Sequence, residues 1–234
     1  MRRTDALGVI ALTDSLIDVI DLSCKRDQRS LFEGLTHTFC PGDIVQIEGP
    51  NGSGKTSLLR ILTGVCSDYQ GDILWRGQSF STDRLDYLNH LLYLGHLPGV
   101  KKSLTPRENL HWCSGMNSGH LQIPIVDALE EVGLAGFEDT PCHHLSAGQL
   151  RRVALARLYL TPTPVWILDE PFTAIDKSGV GKLETLLCEH AAGGGCVIMT
   201  THQELSLEGV VKINLRDYQP KLVQWQQEEW GIDV

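Results

Sequence analysis

The sequence has no long apolar run, and this lack bears on how the chain could meet a membrane. No window approaches the roughly 18 uncharged apolar residues that a membrane-spanning helix requires. Asp14, Asp18 and Asp21 interrupt the first hydrophobic stretch. We therefore predict neither a signal peptide nor a membrane-spanning segment.

Basic residues are also in short supply. The chain has 20 lysines and arginines against 29 aspartates and glutamates, which gives a net charge of −9. Nucleic acids and anionic lipids favour basic surfaces, so this balance argues against either of them as the main partner. With 42% hydrophobic and 21% charged residues, the 234 residues are typical of a soluble globular protein with one large domain or two small ones.

Paired cysteine spacings are absent as well. None of the seven cysteines stands in a C-x-x-C pair, which indicates reduced thiols in the cytoplasm. Cys142-His143-His144 and His111-Trp112-Cys113 offer metal-ligand side chains, but no second ligand pair stands at zinc-like spacing. We expect no metal role for either string.

The most informative feature that is present is a glycine-rich phosphate loop. The pattern G-x-x-x-x-G-K-[ST] is matched at every position by Gly49, Pro50, Asn51, Gly52, Ser53, Gly54, Lys55 and Thr56. A strand pattern over 43–48 precedes the loop and a helical pattern over 57–62 follows it, which makes the match specific. The alternative, a glycine-rich turn before a helix, does not account for these flanks.

The chemistry of this loop predicts binding of a nucleoside triphosphate. Glycines let successive backbone N–H groups surround an anion at the positive end of a helix. We expect Lys55 to reach the β- and γ-phosphates as a catalytic cation and Thr56 to offer its hydroxyl to Mg²⁺. Ser57 completes the predicted nucleotide-binding set.

Two carboxylates follow a second buried strand. The string Val165-Trp166-Ile167-Leu168-Asp169-Glu170 delivers them to the polar end of that strand, where ligands bind in parallel sheets. We assign Asp169 to the Mg²⁺ shell and Glu170 to the catalytic base that orients the attacking water. A strand followed by an acidic turn is the alternative.

Strand and helix patterns alternate along the chain. We predict an α/β fold, that of a phosphate-loop (P-loop) nucleoside triphosphatase with a mainly parallel sheet and a small antiparallel β part. Helical spacing dominates between about 86 and 160, which predicts an inserted helical lobe.

A further string identifies a family. Leu145-Ser146-Ala147-Gly148-Gln149, joined to the phosphate loop and the paired acids, resembles the L-S-G-G-Q signature of ATP-binding-cassette (ABC) ATPases, with Ala147 as a conservative departure. Alone, Ser146 would be a helix N-cap whose helix leaves N–H groups free for a second anion. The resemblance covers 16–215, predicted as the ATPase domain, with an extension over 1–15 and a tail over 216–234.

The resemblance implies how the site is completed. Two copies of the chain would pair as a homodimer, each ATP lying between one phosphate loop and the other subunit's Ser146, Ala147, Gly148 and Gln149. His202 resembles the catalytic switch histidine that contacts the γ-phosphate, and residues 173–176 resemble the D-loop along the partner subunit. Asp176 is alternatively a plain helix N-cap.

Apart from Ala147, the sequence departs from the family at two positions. His96 stands where the family usually has glutamine; it can bind a water or a phosphate oxygen, or lie in a surface loop. No aromatic residue stands where one usually stacks on adenine, so Arg26 or Arg29 is a candidate for that stacking, with plain solvation as the alternative.

Several strings, among them residues 26–32, 45–49 and 93–96, resemble the ATP-binding subunits of bacterial cytochrome c maturation systems, which are described as haem exporters. This resemblance implies a peripheral protein on the cytoplasmic face of the inner membrane, bound to the membrane subunit CcmB with CcmC and CcmD. ATP hydrolysis would drive haem export or release of the haem-loaded chaperone CcmE. Another ABC exporter, or a soluble ABC ATPase such as an Fe–S assembly factor, remains open.

We expect Glu170→Gln to bind ATP but to hydrolyse it at least ~10²-fold more slowly, the scale of a lost general base. Steady-state phosphate release, with nucleotide binding measured separately, checks this. Near-normal turnover would refute the role of Glu170.

Overall fold

The computed structural model describes residues 15–27, 29–82, 84–115 and 121–220. Residues 1–14 of the predicted extension and 221–234 of the predicted tail lie outside these ranges. The strands are β1 (Ile17–Arg26), β2 (Arg29–Phe39), β3 (Ile44–Glu48), β4 (Gln70–Trp75), β5 (Gln78–Ser79), β6 (Leu91–Leu94), β7 (Val165–Asp169), β8 (Cys196–Thr200) and β9 (Val211–Asn214). The α-helices are α1 (Lys55–Leu62), α2 (Arg84–Asn89), α3 (Pro106–Gly115), α4 (Ile125–Glu131), α5 (Ala147–Leu155), α6 (Arg157–Leu160) and α7 (Lys177–Ala192).

A parallel sheet in the order β6-β7-β8-β3-β9 forms the centre of the fold. Every residue of β7 and β8 is buried, as expected for strands covered on both faces. A second, antiparallel sheet has the order β2-β1-β4-β5. The predicted combination of a mainly parallel sheet and a small antiparallel part is confirmed.

Helix α1 joins the two sheets in one core. Leu58, Leu59, Ile61 and Leu62 are all fully buried, and they belong to the same apolar cluster as strands of both sheets. Because both sheets bury α1, its N-terminus is held in a fixed position, and the phosphate loop lies at that N-terminus. A second apolar cluster contains side chains of α5 and α7 together with side chains from strands of the parallel sheet.

A third apolar cluster joins α3 to α6. It includes Leu110, Leu129 and Leu160, and it is built from helices and the loops between them. Within the stretch predicted as helical, however, Leu91–Leu94 is a strand of the parallel sheet. A four-residue apolar run cannot be assigned to helix or strand by periodicity, and here pairing with β7 decides it. At the end of the same stretch, Ala156 separates α5 from α6.

The described ranges contain no helix that combines the length and the apolar character needed to cross a bilayer. At the start of the predicted tail, Leu215–Tyr218 forms a 3₁₀ turn, and Tyr218 packs against the core.

A bulge in the antiparallel sheet depends on one glycine. The register of β1 against β4 shifts between Ile20 and Ser23, and Asp21 between them has a φ of 51°. Gly71 of β4 lies opposite this bulge and has a φ of 97°. A Cβ at Gly71 would lie 2.6 Å from the carbonyl oxygen of Ile20 and would also collide with that of Asp21.

We expect Gly71→Ala to lower the free energy of unfolding by about 2–4 kcal/mol, through left-handed strain and overpacking together. Gly77→Ala is the matched control: its φ is 78°, but a Cβ there meets nothing within 4 Å. The control should cost only about 1 kcal/mol. Urea unfolding measures both, and equal losses would contradict the steric argument.

Candidate functional site

The carboxyl ends of four neighbouring parallel strands meet at one edge of the sheet. The phosphate loop follows β3, and Thr201 and His202 follow β8. Glu170 follows β7, and His96 stands two residues after β6. Segments far apart in sequence are thus brought together at the edge where ligands bind in parallel α/β sheets.

The phosphate loop has the backbone geometry that its glycines allow. Gly54, with a φ of 101°, is the N-cap of α1, and a Cβ there would lie 3.0 Å from side-chain carbons of Leu31 and Phe32. The Lys55 ammonium donates to the carbonyl oxygens of Gly49 at 2.7 Å and Pro50 at 3.3 Å. The Lys55 ammonium is therefore held against the backbone at the start of the phosphate loop.

One hydroxyl organises the two acids. Thr200 lies directly opposite Asp169 in the β7–β8 register. Its Oγ1 donates to Asp169 Oδ1 at 2.7 Å and accepts from the Glu170 N–H at 3.1 Å. Asp169 is 2% exposed, and its Oδ2 has no hydrogen-bond partner among the described residues, so one carboxylate oxygen stays free for a ligand.

Glu170 faces His202. Glu170 Oε2 accepts from the His202 N–H at 3.3 Å, and Oε1 lies 3.5 Å from the His202 Nε2 atom. The glutamate side chain is 18% exposed and the histidine 65%, so the acid is sheltered and the imidazole is open to the cleft. A carboxylate held in this way can orient a water molecule or accept its proton.

These groups line one open cleft of about 590 Å³. Its lining comprises Arg26, Asp27, Arg29, Leu31, Asn51, Gly52, Gly54, Lys55, Thr56, Ser57, His96, Asp169, Glu170 and His202. The phosphate loop, the two acids and the switch histidine were predicted separately, and residues of all three line this one cavity. A second cavity of about 600 Å³ adjoins it and shares Lys55 and His202.

The two departures from the family pattern also reach this cleft. His96 lines it, as expected for a residue that contacts water or phosphate oxygens. Arg26 lines its mouth with a side chain that is 74% exposed and 3.8 Å from Asp27 Oδ2. The stacking of Arg26 on a base stays a prediction.

The signature string is not part of this cleft. No residue of 146–149 is among the described residues that line it. Ser146 instead caps α5 in a reciprocal arrangement: its Oγ accepts from Gln149 N at 3.2 Å, and its N–H donates to Gln149 Oε1 at 2.9 Å. Asp176 likewise caps α7, its Oδ1 accepting from Gly179 N at 2.9 Å.

Metal-ligand chemistry in the described part of the chain is limited to isolated groups. No cluster of three or more His, Cys, Asp or Glu side chains suited to a metal occurs there. A Mg²⁺ ion held by one carboxylate together with substrate phosphates needs no such cluster. Asp169, with its unpartnered Oδ2, and the exposed Thr56 fit that pattern.

Sequence reasoning missed the supporting roles of Thr200 and Arg151. The signal for Thr200 was a hydroxyl residue at the end of a buried strand, at the same level as Asp169 in the next strand. Arg151 is 4% exposed and donates to backbone carbonyls beside His96 and the acids. Its signal was a charged residue on the apolar face of α5.

Comparison with known proteins identifies the family of this chain. The sequence profile of the ABC transporter family matches residues 32–173. A protein of Hahella chejuensis named cytochrome c biogenesis ATP-binding export protein CcmA is 54% identical over 198 residues, 84% of this chain and 93% of its own. A protein of the same name from Yersinia pestis is 52% identical over 201 residues, 86% of this chain and 91% of its own.

Solved structures show the same architecture. An ABC transporter ATP-binding protein from Pyrococcus furiosus has a TM-score of 0.74 and 28% identity, over 87% of this chain and 99% of its own. An ATP-binding cassette dimer bound to ADP and phosphate has a TM-score of 0.69 over 80% of this chain and 88% of its own. Its identity is 20%, so it supports the fold alone.

Proposed function

This chain belongs to the ABC transporter family as an ATP-hydrolysing subunit, and we propose that it drives a membrane complex for cytochrome c biogenesis. Haem export, or release of the haem-loaded chaperone CcmE, would be the coupled work. The observation that carries this proposal is the 54% identity with a CcmA protein across 93% of that protein's length.

The site residues divide the chemistry among them. The backbone N–H groups of residues 51–54 and the Lys55 ammonium bind the triphosphate. Glu170 orients the attacking water and accepts its proton, while His202 contacts the γ-phosphate beside it. His96 approaches the same phosphate from the adjacent strand end. Arg26 stacks its guanidinium on the adenine.

Magnesium completes the substrate. Asp169, with its unpartnered Oδ2 atom, and Thr56 would hold the ion. When bound, Mg²⁺ would neutralise charge on the phosphate oxygens. Thr200 keeps the Asp169 carboxylate in place by donating to its other oxygen at 2.7 Å. Removal of such a supporting hydrogen bond from a metal ligand typically costs tenfold or more in affinity or activity.

Each catalytic site is completed by a second copy of this chain. The signature residues 146–149 lie outside the cleft formed by their own subunit, and Ser146 and Ala147 are exposed. They stand at the N-terminus of α5, where backbone N–H groups favour an anion. A symmetric head-to-tail dimer brings each signature to the nucleotide of the other subunit.

A mixture of two inactive variants tests this arrangement. Ser146→Arg damages only the signature, and Glu170→Gln damages only the cleft. In a mixed dimer one site combines the intact cleft of the Ser146→Arg subunit with the intact signature of its partner. An equal mixture should therefore recover about a quarter of the wild-type rate for independent sites, measured in single turnover with protein in excess.

The matched control combines Glu170→Gln with Lys55→Ala. Both changes damage the cleft, so no mixed dimer has a complete site and no activity should return. Recovery in the control mixture, or none in the test mixture, would contradict a site shared between subunits.

The membrane partner has a candidate surface. Leu97 is 80% exposed and Trp112 is 51% exposed, and the Lys101 ammonium lies 3.6 Å from the centre of the Trp112 indole. We assign the contact with a membrane subunit of the CcmB type, accompanied by CcmC and CcmD, to residues 95–110, with Trp112 beside them. The chain would then be peripheral on the cytoplasmic face of the inner membrane.

Two other functions share this ATPase chemistry. Another ABC exporter would differ only in its membrane partner, and a soluble ABC ATPase such as an Fe–S assembly factor would have none. The identity with CcmA proteins favours the cytochrome system over both.

Cytochrome assembly in cells distinguishes these functions. In a bacterium from which its own CcmA gene has been deleted, this chain should restore c-type cytochromes with covalently attached haem, which haem staining detects. Glu170→Gln should fail to do so at equal protein level, because ATP is bound but not turned over. Restoration by the inactive variant, or failure by the wild-type chain while it co-purifies with CcmB, would overturn the proposal.

A further inference from the structure

Arg151 is a buried charge that the nucleotide chemistry described above does not use. It lies on α5 at the spacing of the apolar face, with Ala154 and Leu155 at i+3 and i+4, and it is 4% exposed. Arginine is almost never buried to this extent unless most of its donors are satisfied. Among the described residues, Nη1 and Nη2 of Arg151 have acceptors and its Nε has none. Burial lowers the pKa of the Arg151 guanidinium from its ordinary value, and the nearby Asp169 and Glu170 oppose that shift.

The guanidinium binds backbone carbonyls of two strand ends. Its Nη1 donates to the Gly95 oxygen at 2.7 Å, in the residue before His96. Its Nη2 donates to the oxygens of Asp169 at 2.9 Å and Glu170 at 2.7 Å. The planar fork of an arginine can satisfy three diverging acceptors in this way, which a lysine ammonium does less well.

Glu170 needs such support because its backbone is strained. Its φ of 51° lies in the left-handed region, which a glutamate adopts only when its surroundings hold it there. On one side its N–H donates to Thr200, and on the other its carbonyl accepts from Arg151. Both peptide groups are therefore fixed, and this fixes the direction of the carboxylate toward His202.

The same helix carries the signature. Arg151 stands two residues after Gln149, in the helix that Ser146 caps. The guanidinium therefore links the helix that begins at residues 146–149 to the carbonyl groups of Gly95 and Glu170. Within one subunit, Arg151 thus connects the signature residues, which would contact the partner's nucleotide, with the cleft that would bind the subunit's own nucleotide.

We propose that Arg151 is a positioning residue for ATP hydrolysis, which holds the backbone of Glu170 in its catalytic conformation and ties it to the signature helix. This proposal rests on the proposed function of the same site. Arg151 is not among the described residues that line the cleft, so it acts on the reaction through the position of Glu170.

Arg151→Gln tests the role, because it removes the fork while keeping a polar side chain. We expect kcat to fall by about 10–100-fold, the scale of a small misplacement of a catalytic group, with the ATP dissociation constant changed less than about threefold. Arg152→Gln is the matched control on the same helix. Among the described residues, the Arg152 side chain makes one hydrogen bond, to the Gly133 carbonyl oxygen at 3.4 Å. The kcat of Arg152→Gln should therefore stay within about twofold of the wild-type value.

A double-mutant cycle separates positioning from general damage. If Arg151 acts through Glu170, then Arg151→Gln should lower single-turnover hydrolysis less than about twofold in a Glu170→Gln background. A purely structural loss would cost the same factor in both backgrounds, and that result would overturn the proposal. An equal loss in Arg152→Gln would also overturn it.

A folding measurement and a second variant keep the test decisive. Thermal unfolding compares the variants with the wild-type protein. If Arg151→Gln does not fold, Arg151→Lys replaces it, with an expected fall in kcat of about three- to tenfold, since an ammonium replaces only part of the fork. An unchanged kcat in the variant that folds would overturn the proposal.

Failure of the proposed function would look different. In that case the wild-type chain would not hydrolyse ATP, or Glu170→Gln would turn over at the normal rate. An active wild-type chain, a slow Glu170→Gln variant and a fully active Arg151→Gln variant would overturn the role of Arg151 alone.

Discussion

The register between β7 and β8 is the constraint on which the site depends. Because Asp169 pairs with Thr200 across two parallel strands, one hydroxyl meets both the carboxylate of Asp169 and the N–H of Glu170. A slip of one residue would turn every side chain of either strand to the other face of the sheet. The full burial of both strands opposes such a slip, so the packing of the core sets the geometry of the acids.

Local sequence predicted those parts of the site that follow from short strings. The phosphate loop, the paired acids and the N-cap at Ser146 each depend on neighbours within a few residues, because glycine torsion angles, strand ends and caps are local properties. The α/β architecture followed from alternating patterns, and the structure and the relatives confirm it. The roles assigned to individual site residues remain predictions.

The rest depended on tertiary pairing. Leu91–Leu94 is a strand because β7 offers it a partner, which no property of those four residues reveals. Arg151 and the carbonyl of Gly95 are 56 residues apart in sequence. A hydrogen bond to a backbone carbonyl places no demand on the identity of the acceptor residue, so no motif records it. The one available signal was a guanidinium among the apolar positions of a helix.

The reciprocal cap at Ser146 has a consequence for the proposed dimer. The Ser146 N–H and Oγ and the Gln149 N–H already have partners within their own helix. A phosphate that approaches them would have to displace these bonds, so the net free energy of closure would be smaller than the new charge-assisted bonds alone would give. In the proposed dimer, an interface weakened in this way would separate more readily once its triphosphate had been cleaved, and one pair of subunits could close and open many times.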